Sequence, residues 1–159
     1  MKHLPKHLRP RWRYLAVRLE STPDASFDRG DFQRELWYAA QNLVGDVGSA
    51  DADCTVVRFE FSNGTGHAVV RAHHGEADTA RASLACIASV NGDALGVAVT
   101  GVSGTIRACV EKYLGSPSEG PTERTVAFES DDRHAVERDS VLDVRVDGDY
   151  IGATNLDFE

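Results

Sequence analysis

Residues 53–75 read DCTVVRFEFSNGTGHAVVRAHHG. Val57, Phe59 and Phe61 alternate with Arg58 and Glu60, the two-residue period of a half-buried strand. Asn63-Gly64 interrupts the run where a two-residue hairpin turn needs positive φ angles, and HAVVRA (67–72) returns as the second strand. Strands joined this tightly are antiparallel neighbours, so the fold depends on what flanks them.

Upstream, FDRGDFQRELWYAAQNLVGDVG (27–48) sets Phe32, Leu36, Ala39, Ala40, Leu43 and Val47 at three- and four-residue steps, an amphipathic helix over 29–44. Asp28 is its expected N-cap, Asp31 suits the first turn, and Gly45 or Gly48 stops it. Before it, STPDAS (21–26) is a loop. WRYLAVRLE (12–20) is a strand, with Arg13, Leu15, Val17 and Leu19 on one face and Trp12, Tyr14, Ala16 and Arg18 on the other. Downstream, GEADTARASLACIASVNG (75–92) reads as a second helix with Ala77, Ala80, Leu84, Ile87 and Ala88 as its stripe, ended by Asn91-Gly92. ALGVAVTGV (94–102) reads as a buried strand. SGTIRACVEKYLG (103–115) reads as a short third helix, capped by Ser103, striped by Ile106, Val110, Tyr113 and Leu114, and closed by Gly115.

The order β-α-β-β-α-β plus a helix predicts an α+β, ferredoxin-like or RRM-like split βαβ sandwich over residues 1–115. Right-handed crossovers put both long helices on one face of a four-stranded antiparallel sheet. The third helix then buries its stripe on part of the other face. SPSEGP (116–121) has linker composition. It opens an acidic extension (116–159) in which TVAFES, RHAVER, VLDVRV and YIGATN are short strand-like runs between carboxylate-rich turns. These predict a small β-meander or, with so few apolar residues, a loosely ordered segment.

Charge is unevenly spread. Residues 1–116 hold 13 Lys+Arg and 13 Asp+Glu, whereas 117–159 hold 4 and 12, so the extension carries the whole net charge of -8. Three lysines stand against 14 arginines. Acidic, lysine-poor chains are typical of proteins that stay soluble in very high salt; the plainer alternative is an acidic tail. Cys54, Cys86 and Cys109 are odd in number and form no CxxC, so neither a disulfide framework nor a zinc ribbon is implied, and a reducing, cytoplasmic compartment fits. No stretch approaches the ~18–20 apolar residues of a membrane span, and no signal peptide is read at the start.

The first 19 residues hold Lys2, Lys6, Arg9, Arg11, Arg13 and Arg18 with no acid. A cationic arm of fork-shaped guanidiniums suits contact with phosphates, and Trp12 and Tyr14 could stack on a base or pack in the core. The third strand lacks the aromatics on which an RNA-recognition motif stacks bases, leaving Arg71 as its contribution of charge. Ser103, Gly104 and Thr105 open a helix where free backbone N–H groups can meet an anion, with Arg107 beside them and Lys112 further along; a plain helix cap explains the same letters. His67, His73 and His74 lack the four spaced ligands of a structural zinc site, so no metal is expected. No nucleophile motif, zinc motif or P-loop is present, and no catalytic residue is assigned.

KHLRPRWRYLAV (6–17, within the stretch 2–17), GTGHAVVR (64–71) and SGTIRACVEKYLG (103–115), in this order, resemble the archaeal ribonuclease P protein component 2 family over residues 1–115. The resemblance implies a protein subunit of ribonuclease P, which removes the 5′ leader from precursor tRNA. In that family the RNA is catalytic and the proteins assist it. The resemblance further implies partnership with ribonuclease P RNA, with protein component 3 and other subunits, and indirectly with precursor tRNA. No cofactor is expected on this chain, and Mg2+ serves the assembly through its RNA. RNA contacts are expected from Lys2, Lys6, Arg9, Arg11, Arg13, Arg71, Ser103, Gly104, Thr105, Arg107 and Lys112. Trp37 and Tyr38, beside the stripe of the first helix, are candidates for a protein partner, with core packing the alternative. A ferredoxin-like module that binds a small molecule is the competing reading, and an acylphosphatase-like enzyme a third.

Overall fold

The computed structural model describes residues 3–115, 122–138 and 141–158. The linker stretch 116–121 and Lys2 lie outside the described residues. Strand β1 (Trp12–Ser21) follows a single 3-10 turn at Lys6–Leu8, and α1 (Arg29–Ala52) comes next. Then come β2 (Thr55–Ser62), β3 (Thr65–His73), α2 (Ala77–Ala85), β4 (Ser89–Val90), β5 (Asp93–Ser103) and α3 (Ile106–Tyr113). The sheet order is β2-β3-β1-β5-β4, with each neighbouring pair antiparallel. The four long strands thus have the split βαβ arrangement.

The hairpin turns at Asn63 (φ 52°) and Gly64 (φ 75°). A Cβ on Gly64 would run into the backbone of Ser21 and Thr22, so this turn needs glycine for space as well as for φ. A register shift between Val56 and Arg58 puts Val56 and Phe59 under the helices, while Val57 faces the opposite side.

One core layer lies between the sheet and α1 and α2. Leu15, Val17, Leu19, Phe32, Leu36, Val70 and Leu84 are fully buried in it. Asp28 and Asp31 close a reciprocal capping box at the start of α1: Asp31 N–H donates to Asp28 Oδ1 at 2.9 Å and Asp28 N–H to Asp31 Oδ2 at 3.1 Å. Buried Gln33 ties α1 to β2, donating from Nε2 to the Cys54 carbonyl and accepting from Val56 N–H. Gly45 (φ 73°, ψ -179°) breaks the helix, as the sequence indicates, but helix resumes to Ala52. Val47, beyond the break, is 77% exposed, and Leu43, still in phase before it, lies past the edge of the core at 45%.

Three further expectations need correction. The second helix ends at Ala85, and Asn91 (φ 52°) with Gly92 (φ 84°) forms a hairpin turn between β4 and β5, so the sheet has five strands and Ala88 is exposed. Strand β5 is not buried throughout: Leu95 is buried, while Gly96, Ala98 and Thr100 face outward. The cap of α3 is Thr105, whose Oγ1 accepts from Ala108 N–H at 3.1 Å, because β5 runs on through Ser103.

Helix α3 does lie on the other face of the sheet. Cys109, Val110, Tyr113 and Leu114 pack on Tyr14, Ala16, Val57 and Val69. The extension forms the meander: β6 (Thr122–Phe128), β7 (Asp131–Arg138), β8 (Val141–Val146) and β9 (Asp149–Thr154) pair in sequence order. Its small core is Val126, Ala135, Leu142, Val144 and Ala153, flanked by Phe128, Val146 and Phe158. Arg138 links it to the first sheet, paired with Asp143 at 2.6 Å and donating from Nη2 to the Ser21 carbonyl.

Candidate nucleic-acid interface

Antiparallel pairing brings three chain segments to one end of the first sheet. There β1 begins, β3 ends and β5 runs into α3. Tyr14 pairs with Arg71 on one side and with Ser103 on the other, so Arg71, Tyr14 and Ser103 form one row across three strands. At ~4.8 Å between strands, the outer two backbones are about 10 Å apart. Trp12 pairs with His73 two rows further out, and His74 N–H donates to the Arg11 carbonyl at 2.8 Å, so the arm joins the sheet at Arg11. Arg13 Nη1 lies 3.7 Å from where a Cβ on Gly104 would sit, which sets its guanidinium beside the Ser103–Thr105 turn.

Three arginines without a carboxylate partner come together at this end. Elsewhere among the described residues, Arg34, Arg107, Arg124, Arg133 and Arg138 sit within 4 Å of a carboxylate, while Arg29, Arg58, Arg81 and Arg145, spread over other elements, do not. Arg11, Arg13 and Arg71 have no carboxylate partner among the described residues, in a chain with 25 acids and 17 Lys+Arg. Cations left unneutralised amid excess acid are available to an external anion.

The remaining sequence-derived positions divide. Lys6 lies in the exposed 3-10 turn, and Arg9 donates from Nε to the Leu4 carbonyl at 2.8 Å. Arg107 is well exposed but bonded to Glu111 at 2.8 Å, and the Lys112 ammonium lies 5.3 Å from the Tyr113 ring centre. Thr105 spends its hydroxyl on the α3 cap. Neither Trp12 nor Tyr14 is free to stack on a base. Tyr14 packs under α3, and Trp12 has the His73 ring at 4.1 Å and the Arg71 Cζ at 4.0 Å from its ring centre. That cross-strand stack has no local signal in the sequence, because it depends on the register between β1 and β3.

Two of the three candidate histidines sit beside carboxylates. His67 Nε2 is 3.3 Å from Glu60 and His73 Nε2 is 3.8 Å from Asp53. Among the described residues, no three His, Cys, Asp or Glu side chains gather as a metal site, and no helix is long and apolar enough to cross a membrane. Trp37 and Tyr38 are 50% and 53% exposed on α1, with the Trp37 Nε1 bonded to the Cys54 carbonyl at 3.1 Å. Together with Leu43, Val44 and Val47 they leave α1 with large apolar groups in solvent. At the opposite end of the first sheet, a cleft of about 300 Å³ opens against the meander, lined in part by Ser21, Leu95, Val136, Arg138, Asp143 and Tyr150.

Residues 13–114 match the model of the Rpp14/Pop5 family. The chain belongs to the Rpp14/Pop5 family. Its relatives include the ribonuclease P protein component 2 of Natronomonas pharaonis, 61% identical over 99% of this chain and 98% of that protein. That of Halorubrum lacusprofundi is 54% identical over the full length of both. That of Methanosarcina mazei is 40% identical over 114 residues, 72% of this chain but 93% of that protein. The extension therefore has counterparts in the first two, and the third has little chain left for one. A chain in the cryo-EM structure of yeast ribonuclease MRP aligns with 63% of this chain and 79% of its own length, at 18% identity and a TM-score of 0.48.

Proposed function

We propose that this chain is a protein subunit of ribonuclease P that assists the catalytic RNA in removing the 5′ leader from precursor tRNA. Family membership supports the assignment. The observation that carries the physical part is the gathering of Arg11, Arg13 and Arg71, without carboxylate partners among the described residues, at one end of the sheet. Guanidiniums in this setting neutralise RNA phosphates and fix the subunit's orientation, and they carry no sequence information by themselves. On this reading the phosphodiester hydrolysis belongs to the RNA and the Mg2+ it holds. This chain stabilises the folded RNA and brings no acid, base or nucleophile.

Salt sets the form of the contact. At ~1 M ionic strength the Debye length is about 3 Å, so only direct hydrogen-bonded pairs survive screening. Arginine's planar fork suits that demand better than lysine's point charge, in keeping with the composition. The exposed face of α1 around Trp37, Tyr38 and Val47 is the proposed seat of another protein subunit, component 3 in the family this chain resembles.

Precursor-tRNA cleavage at high salt and Mg2+, with the cognate RNA and other subunits, with and without this chain, is the test. A faster 5′ cleavage on addition supports the reading, and the triple change Arg11→Ala, Arg13→Ala and Arg71→Ala is expected to remove the gain. Each lost phosphate contact lowers the slope of log affinity against log salt by ~0.7–0.9. A folded sample that alters neither rate nor RNA binding would sink the proposal and return the small-molecule reading, with the cleft beside Arg138 as the place to look.

A further inference from the structure

We propose, on the reading of the basic end as an RNA contact, that Trp12 is a positioning residue whose indole holds the Arg71 guanidinium as an outward-facing fork for one RNA phosphate. The Arg71 Cζ lies 4.0 Å from the Trp12 ring centre, and the His73 ring stacks on the same indole at 4.1 Å with planes 19° apart. Two flat groups this close to one ring centre would collide if they shared a face, so Trp12 is held between them. His73 is itself restrained by Asp53, 3.8 Å from its Nε2. The indole is thus fixed on one side and lends its other face to the guanidinium.

The orientation of Arg71 follows. Its Nε is shut from solvent with no hydrogen-bond partner, while its two Nη groups are not enclosed and bond to nothing among the described residues. The edge with two parallel N–H groups is therefore the one left open, the geometry that grips two oxygens of a phosphate. A free arginine gives up rotamer freedom when it binds; one already stacked has given up much of it before the RNA arrives. Lysine in this place would keep the charge and lose both the stack and the fork.

The experiment measures affinity for ribonuclease P RNA, with the other protein subunits present, across a salt series. The variants are Arg71→Ala, Arg71→Lys, Trp12→Phe, Trp12→Leu and the double variants Trp12→Leu/Arg71→Ala and Trp12→Leu/Arg71→Lys, with Arg11→Ala/Arg13→Ala as reference. Arg71→Ala is expected to weaken binding and to lower the salt slope by about one. Trp12→Leu should reproduce both effects although it removes no charge, and Trp12→Phe, which keeps a π face, should retain most of the affinity. In either Arg71 background the Trp12 change should cost nothing more. If Trp12→Leu leaves the slope at its wild-type value, or adds its full loss to that of Arg71→Ala, Trp12 is packing alone and the inference is overturned. An Arg71→Ala without effect, beside a weakened Arg11→Ala/Arg13→Ala, overturns the inference and spares the broader reading. Silence from all of them overturns both. Should Trp12→Leu not fold, Trp12→Phe with Arg71→Lys decides: retained affinity in the first and loss of the slope increment in the second support the stacked fork, and any other pair of results refutes it.

Discussion

Alanine at Gly101 would put a methyl group into the space occupied by the aromatic ring that seats α3 on the sheet. A Cβ built there falls within 3.0 Å of Cζ, Cε1 and Cε2 of Tyr113. The ring is rigid, and Cys109, one turn earlier on the same helix, is fully buried against Ala16 and Val69, so the helix cannot lift at one end without opening that contact. If the ring stays, overpacking costs ~1–3 kcal/mol. If it swings out, the half-buried tyrosine loses its apolar contacts, a loss of about the same size. Either route predicts about 2 kcal/mol, which for a chain of this length lowers Tm by ~4–8 °C. Urea unfolding at fixed salt, followed by circular dichroism, gives the midpoint and slope, and an unchanged slope assigns the shift to stability. Tyr113→Leu in the same chain removes the ring and should recover part of the loss. A Gly101→Ala protein within ~0.5 kcal/mol of wild type, the range of ordinary surface changes, would show that the α3 packing described here is wrong.

Asp28→Ala should cost ~1 kcal/mol by opening the capping box of α1, read from the same urea curves. The hydrogen bond from the Asp28 backbone N–H holds the Asp31 carboxyl below its ordinary value of 3.8. A depressed folded pKa stabilises above the unfolded value and is lost as pH falls through the folded one, so Asp31→Asn should flatten the acid limb of the stability profile below about pH 4. Burial pushes the Cys54 thiol up to about 11 and raises that of Cys109, while Cys86 is exposed. Alkylation of the native protein at pH 8 should mark Cys86, with Cys54 and Cys109 joining only after unfolding, as peptide mass mapping would show. Arg138→Ala should free the meander from the first sheet, seen as faster proteolysis within 122–158 with the Gln33-stitched core of α1 and β2 still protected.

The parts of the fold that could be read from sequence are those where period and turn chemistry agree. The hairpin at 53–75 combines a two-residue period with Asn-Gly, and the structure follows it except at Val57, which the bulge between Val56 and Arg58 turns to the face opposite Phe59. Asn91-Gly92 misleads because a helix end and a two-residue hairpin both need positive φ, and the two-residue strand Ser89–Val90 is too short to show a period. The apolar stripe of α1 fails at Val47 because a wheel drawn through the break at Gly45 carries the wrong phase, and at Leu43 because the helix has already run past the core it covers. Ser103 and Thr105 are equally good caps by type, and what decides between them is how far β5 runs, a matter of pairing with Tyr14. Of the basic end, the arm is plain in the sequence. The Arg71–Trp12–His73 stack depends on the register between β1 and β3 and on side-chain directions, which no local pattern records.

The two sheets also give the molecule a head and a tail. The arm joins at the start of β1, and the meander, in the extension whose net charge is -8, is fastened at the strand's far end through Arg138 and Ser21. Ten residues of strand place these poles ~30 Å apart, comparable to the screening length in ~0.01 M salt and ten times that in ~1 M. In dilute buffer each copy can therefore attract the acidic pole of the next with its basic one, a head-to-tail contact that does not close on itself and so grows into chains. Concentrated salt cancels that attraction and, on the proposed function, leaves short arginine–phosphate bonds in place. The same charge layout would then favour self-association in fresh water and contact with RNA in brine.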